Sequence, residues 1–150
     1  MASISVQSDD FDISREIGSL KGADNEVGAV VTFTGTVRDI GGTLETMTLE
    51  HYPGMTEKEL ERIAAIAEDR WPLRGCRVIH RYGTLNPGDN IVLVVTLSAH
   101  REAAFKAAEF LMDYLKSNAP FWKKESGPDG DNWVESKQSD EKSLRKWEKN

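Results

Sequence analysis

Strand-like and helix-like segments are interspersed along this chain without strict alternation, an order that favours an α+β domain with a mostly antiparallel sheet. The clearest strand signals are residues 27–38, a β-branched run with Val31, Phe33, Gly35 and Val37 on one face, and residues 44–52, ended by Pro53-Gly54. Between them, residues 39–43 hold two glycines and read as a mobile loop. Residues 77–83 and 90–97 flank Asn86-Pro87-Gly88-Asp89, a good turn sequence, and are expected to pair antiparallel. Near the start, residues 4–7 read as a short strand, and Asp12 is placed to N-cap a brief helix that stops near residues 18–22.

Two longer helices carry the remaining periodicity. Thr56 and Glu59 make a capping box ahead of Leu60, Ile63, Ala64, Ala67 and Trp71, which fall at helical spacing up to Pro72. Ala104, Phe105, Ala108, Leu111, Met112 and Leu115 mark a core helix over about residues 100–118. Pro120 then stops it, leaving Lys116 in the last turn and Lys123 in whatever follows. If that continuation is extended, Phe121, Lys123 and Glu125 share one face while Trp122 and Lys124 share the other. A turn at residues 127–131 and a short strand near Trp133 complete the pattern. Residues 1–135 read as one domain, and residues 136–150 as a polar tail, mobile or partner-dependent, in which Trp147 can dock.

A chain of 150 residues can bury a real core without staples. One cysteine, Cys76, makes no intrachain bridge, and no charged start followed by an apolar run marks a signal peptide, so the expected compartment is the cytoplasm. No stretch approaches the roughly 20 apolar residues of a membrane span. The formal charge of -6 repels polyphosphate at long range and argues against general nucleic-acid binding.

Familiar catalytic signatures are missing from the sequence: no phosphate-binding loop, no glycine-rich dinucleotide fingerprint, no CxxC pair and no GxSxG elbow. His51, His80 and His100 are dispersed without the spacing of a helical metal pair, so no metal is assigned. Cys76 opens an expected strand and reads as a buried, inert thiol.

What remains is a set of cations at element ends: Arg38, His100, Arg101, Lys116 and Lys123. Arginine suits bidentate capture of phosphate and a helix N-terminus adds amide donors, so Arg38, His100 and Arg101 look like an anion clamp. Fifteen residues of helix span roughly 22 Å, so one chain does not easily bring His100 and Lys116 to the same small ligand, whereas a symmetric dimer does. Gathered cations oppose one another's protonation, and a neutral amine serves as base or nucleophile. Glu125, on the face of Lys123, is placed to orient an ammonium or accept a proton. Phe33, Phe105 and Met112 read as core, with Phe33 or Met112 as pocket walls. The plainer alternative is that Lys116 complements the helix dipole and Lys123 and Lys124 are solvated.

Several runs together carry a resemblance: Val31-Thr32-Phe33-Thr34-Gly35-Thr36-Val37-Arg38, Leu49-Glu50-His51-Tyr52-Pro53-Gly54-Met55, Ile79-His80-Arg81-Tyr82-Gly83, Ser98-Ala99-His100-Arg101 and Ala119-Pro120-Phe121-Trp122-Lys123-Lys124-Glu125. In this order, over nearly the whole chain, the sequence resembles the MoaE family, the large catalytic subunit of molybdopterin synthase. The resemblance implies an α/β hammerhead fold with an additional antiparallel β subdomain. It implies a homodimer of large subunits within a heterotetramer, each carrying a ubiquitin-like small subunit whose Gly-Gly tail ends in a thiocarboxylate. The implied reaction is a sulfurtransferase step without a cofactor: two sulfurs pass to cyclic pyranopterin monophosphate, forming the dithiolene of molybdopterin and opening the cyclic phosphate.

By the same resemblance, Lys116 and Lys123 match catalytic lysines, and Arg38, His100 and Arg101 match substrate-binding cations. Phe33, Met112 and Glu125 match positions lining the same pocket. Lys137 stands where the family's pattern has an arginine, which keeps the charge and loses the bidentate fork. The loop at 39–43 is short for the family. Two other classes of function stay open on the residues alone: a binding module whose cationic pocket holds a phosphorylated metabolite or a partner's tail, and a structural dimer with solvated cations.

Overall fold

The computed structural model describes residues 2–39, 41–117, 121–134 and 144–148. In chain order these form β1 (Ser3–Gln7), α1 (Ile13–Lys21), β2 (Ala29–Thr36), β3 (Thr46–His51), α2 (Met55–Arg70), β4 (Leu73–Arg81), β5 (Gly83–Leu85), β6 (Asn90–Ser98), α3 (Arg101–Ser117), β7 (Phe121–Gly127) and β8 (Gly130–Val134). Two four-stranded sheets result. Sheet 1 runs β1-β4-β6-β2 and sheet 2 runs β5-β3-β7-β8. The β1–β4 pair is parallel, and the other described pairings are antiparallel. The α+β expectation therefore holds, and sheet 2 supplies a wholly antiparallel layer.

β6 shows why sheet 1 is central. Its residues from Ile91 to Ser98 are all buried, which requires cover on both faces. Val92 and Val94 join the large core with Leu60, Ile63, Ala67, Phe110 and Leu111 from α2 and α3. The alternating set Leu93, Val95 and Leu97 packs instead with Ile79 against Phe11, Ile13, Ile17 and Leu20, under α1. Thr96, on the α3 side, is fully buried and donates its hydroxyl to the Ala104 carbonyl at 2.7 Å, tying the first turn of α3 to the sheet.

Sheet 2 closes the other side of that core. Met47, Leu49 and Leu85 contribute to it from β3 and β5. β4 lies antiparallel to β6, as expected for residues 77–83 and 90–97, and between them the chain diverts Gly83–Leu85 into sheet 2 as β5.

Three local expectations are corrected. The capping box of Thr56 and Glu59 does not form, because α2 starts earlier: Gly54 at φ 84 turns the chain into the helix, and Glu57 accepts the Gly54 amide at 2.9 Å. Thr56 lies buried inside the first turn and its Oγ1 accepts from the Tyr52 amide, while Glu59 pairs with Arg62. Phe105 is 60% exposed, because the stripe buried along α3 is Ala104, Ala107, Ala108, Phe110 and Leu111. Phe33 is 39% exposed on β2, which has β6 on one side and no described strand on the other.

At the far end of the chain, Trp147 docks against Trp71 and Phe110, and its indole N–H donates to Asp113 at 2.5 Å. Among the described residues, no helix is long and apolar enough to cross a membrane.

Candidate active site

The geometry of β7 decides where its lysines go. Opposed residues of an antiparallel pair share one side of the sheet. Lys123 lies opposite Leu49, and Glu125 opposite Met47, so both leave the sheet on the face that Leu49 and Met47 bury. Trp122 and Lys124 occupy the outer face, where Trp122 meets Tyr52 edge-on at 4.6 Å and the Lys124 ammonium lies 5.8 Å from the Trp133 ring. The expected alternation is thus present. Lys116 stands exposed in the last turn of α3, where a cation also complements the helix dipole. Pro120, expected to end that helix, lies outside the described residues.

Both lysines bear on one buried group. His80, the next-to-last residue of β4, is 6% exposed, and its ring stacks on Phe121 at 3.7 Å between centroids. Its Nδ1 lies 2.8 Å from the Arg81 carbonyl, an atom that only accepts, so Nδ1 carries the hydrogen and Nε2 keeps a lone pair. Burial pushes its pKa down to about 4; the hydrogen bond to Arg81 opposes this, and the charges of Lys123, Lys116 and His51 reinforce it. Burial is thus the main reason that His80 stays neutral, and the charges of the two lysines, on separate elements, add to it.

A pH dependence follows. The unfolded chain protonates this histidine near its ordinary value of 6.5 and the folded chain only near 4, so folding releases the proton between those limits. Stability present above pH 6.5 should be lost as the pH falls towards 4, by up to about 3 kcal/mol from this group. Urea unfolding at pH 7 and pH 4.5 should show the loss in the native chain and a smaller one in His80→Phe. Equal losses in both would rule out a buried neutral His80.

The remaining candidate residues fall into two clefts. Arg38 and Glu125 line one of about 220 Å³ with Thr43, Leu44 and Asn132. His100 and Arg101 line another of about 430 Å³ with Gly28, Ala99 and Glu102 at the start of α3. Gly28 is needed there, because a Cβ at this position would stand 2.2 Å from the Ala99 carbonyl oxygen. Within one chain, then, Arg38 and Glu125 come together and His100 and Arg101 come together, in separate clefts. Met112 is half-buried against the core one turn before Lys116. Phe33 is exposed on β2, and Lys137 lies outside the described residues.

Sequence reasoning missed the ring group of His80, His51 and Tyr82 around Phe121, two residues before Lys123. His51 approaches Tyr82 at 4.3 Å and Phe121 at 6.4 Å. The available signal was His80 at the end of a strand beside Tyr82-Gly83, but the ring contacts depend on sheet pairing far along the chain. Cys76 is fully buried, and burial pushes its thiol up to about 12, in line with an inert role. Among the described residues no three His, Cys, Asp or Glu side chains gather to hold a metal.

A family model described as MoaE protein matches residues 6–118. A molybdopterin synthase catalytic subunit from Brucella melitensis biotype 1 is 57% identical over 148 residues, covering 97% of this chain and 91% of its own. The solved structure of a molybdopterin biosynthesis MoaE protein from Burkholderia ambifaria MC40-6 matches with a TM-score of 0.85 at 50% identity over 98% of each chain. The crystal structure of molybdopterin synthase from Staphylococcus aureus matches with a TM-score of 0.80 at 31% identity, over 87% of this chain and 96% of that one.

Proposed function

The chain belongs to the MoaE protein family, and on that premise we propose that Lys116 and Lys123 do the chemistry of sulfur transfer onto a phosphorylated pterin. Its function is that of the catalytic subunit of molybdopterin synthase, an enzyme of molybdopterin biosynthesis. The substrate in this reading is cyclic pyranopterin monophosphate. The sulfur donor is the thiocarboxylated tail of a ubiquitin-like small subunit, used twice per dithiolene formed, in the cytoplasm.

The observation that carries the assignment is the position of Lys123 on the inner face of β7, two residues from the Phe121 ring that stacks on His80, with Lys116 in the last turn of α3. One amine acts as base or transient nucleophile where the donor tail enters. The other manages protons and charge on the pterin side chain.

Arg38 and Glu125 line one cleft, and Glu125 leaves β7 on the same face as Lys123. His100 and Arg101 sit in their own cleft, so in this reading they serve the site of a second copy. The apolar residues of the β2 edge and α3 support such an interface, with Val30 41%, Phe33 39% and Phe105 60% exposed.

Mixing the protein with thiocarboxylated small subunit and the cyclic pterin should yield a product that mass spectrometry shows to contain two added sulfurs. Tight pterin binding with no sulfur transferred would replace this reading with that of a binding module.

A further inference from the structure

Four rings form a run across the molecule. Tyr82 meets His51 at 4.3 Å, His51 meets Phe121 at 6.4 Å, and Phe121 stacks on His80 at 3.7 Å with 17° between planes. The run crosses from one sheet to the other, since His51 and Phe121 belong to β3 and β7 of sheet 2 and His80 to β4 of sheet 1. The two lysines are divided in the same way. Lys116 rides on α3, which is anchored to sheet 1 through Thr96, and Lys123 stands two residues beyond Phe121 on sheet 2. The separation of the two amines is therefore a property of the joint between the sheets, and the His80–Phe121 stack lies in that joint.

We propose that His80 is a positioning residue of the sulfur-transfer site, its imidazole face seating Phe121 and so setting Lys123 against Lys116. The proposal rests on the assignment of the two lysines made above. The bond from Nδ1 to the Arg81 carbonyl fixes the ring's rotation, and near-complete burial leaves it no alternative rotamer in solvent. A flat side chain is required because Phe121 lies almost parallel to it. A neutral one is required as well: Lys123, Lys116 and His51 are the charged or titratable groups that act on His80, and a further cation among them would push the amines apart.

Short amine-to-amine cross-linkers of graded length test the geometry directly, with mass spectrometry identifying the Lys116–Lys123 product. With the shortest linker that joins them in the native chain, His80→Leu should lower the yield at least about threefold, and His80→Phe, which keeps the flat face, should recover it. Turnover with saturating small subunit should fall about tenfold to a hundredfold in His80→Leu, with KM for the pterin little changed, and should return in His80→Phe. If the leucine variant does not fold, His80→Asn, which keeps a donor for Arg81 and lacks the ring, is read in its place. Unchanged cross-linking in the ring-deleted variant, an equal defect in His80→Phe, or no linker joining the lysines in the native chain each overturns the proposal. Reduced cross-linking with unchanged turnover would also overturn it, whereas near-native turnover in Lys116→Ala or Lys123→Ala overturns the lysine assignment on which it rests.

Discussion

Lys116→Ala and Lys123→Ala should each lower turnover by at least about a hundredfold, with the folded chain still present. The expectation comes from position as well as charge. Lys116 is exposed, and truncating it removes at most a favourable dipole interaction of about 0.3–1 kcal/mol, so a large rate loss cannot be explained by unfolding. Lys123 leaves β7 on the inner face, opposite Leu49, whereas its neighbour Lys124 leaves on the outer face above Trp133. Lys124→Ala is therefore the matched control: one charge is removed from the same strand, and turnover should stay within about twofold, since an exposed cation–π contact is worth only about 0.5–1 kcal/mol. Steady-state rates with the thiocarboxylated partner, together with thermal unfolding of each variant, check all three. Near-native turnover in Lys116→Ala or Lys123→Ala would sink the assignment.

The largest stability effect is expected at Phe110. Its side chain is fully buried, and its ring meets Tyr114 at 4.7 Å, Trp71 at 5.3 Å and Trp147 at 5.5 Å, with the Arg70 guanidinium 5.0 Å from its centre. Alanine would leave a cavity bounded by three aromatic rings, Trp71 at the C-cap of α2, Tyr114 on α3 and Trp147 after β8, whose separate anchoring keeps them from collapsing fully into it. The cost should be about 3–5 kcal/mol. For a chain of this size that is a fall in Tm of roughly 6–20 °C. Denaturant unfolding of Phe110→Ala measures it, and a loss under about 1 kcal/mol would show that the cluster does not act as packed core.

Much of the fold was legible because its signals are local. The two-residue and 3.6-residue periods located the principal strands and both long helices, and Asp12 caps α1 through the Arg15 amide as its type and place suggested. Failures occurred where a distant element competes. Thr56 has the right spacing for a capping box, but Gly54 takes the positive φ that starts the helix earlier. Gly83–Leu85 is too short to carry a period, and it is a strand only because β3 lies beside it. Phe105 matches the helical repeat, yet what decides its exposure is which stripe of α3 meets sheet 1. The same holds for the candidate site. The alternation of Lys123 and Lys124 was readable from the chain, whereas the identity of the inner face depends on the register of β7 against β3. His80 was visible only as a dispersed histidine, because its contact with Phe121 joins residues brought together by two different sheets.

Trp147 gives the helix that bears Lys116 a second attachment. Its indole holds Asp113, three residues before Lys116, while Lys146 reaches Asp113 and Glu109, and Arg70 donates to the Trp147 carbonyl at 3.0 Å. The last turns of α3 are thus braced from behind by a stretch of chain that follows both sheets in sequence. Stiffness at the reacting end is supplied from a side that carries no chemistry, so changes at Asp113 or Trp147 would act as a remote brake on rate without meeting either substrate.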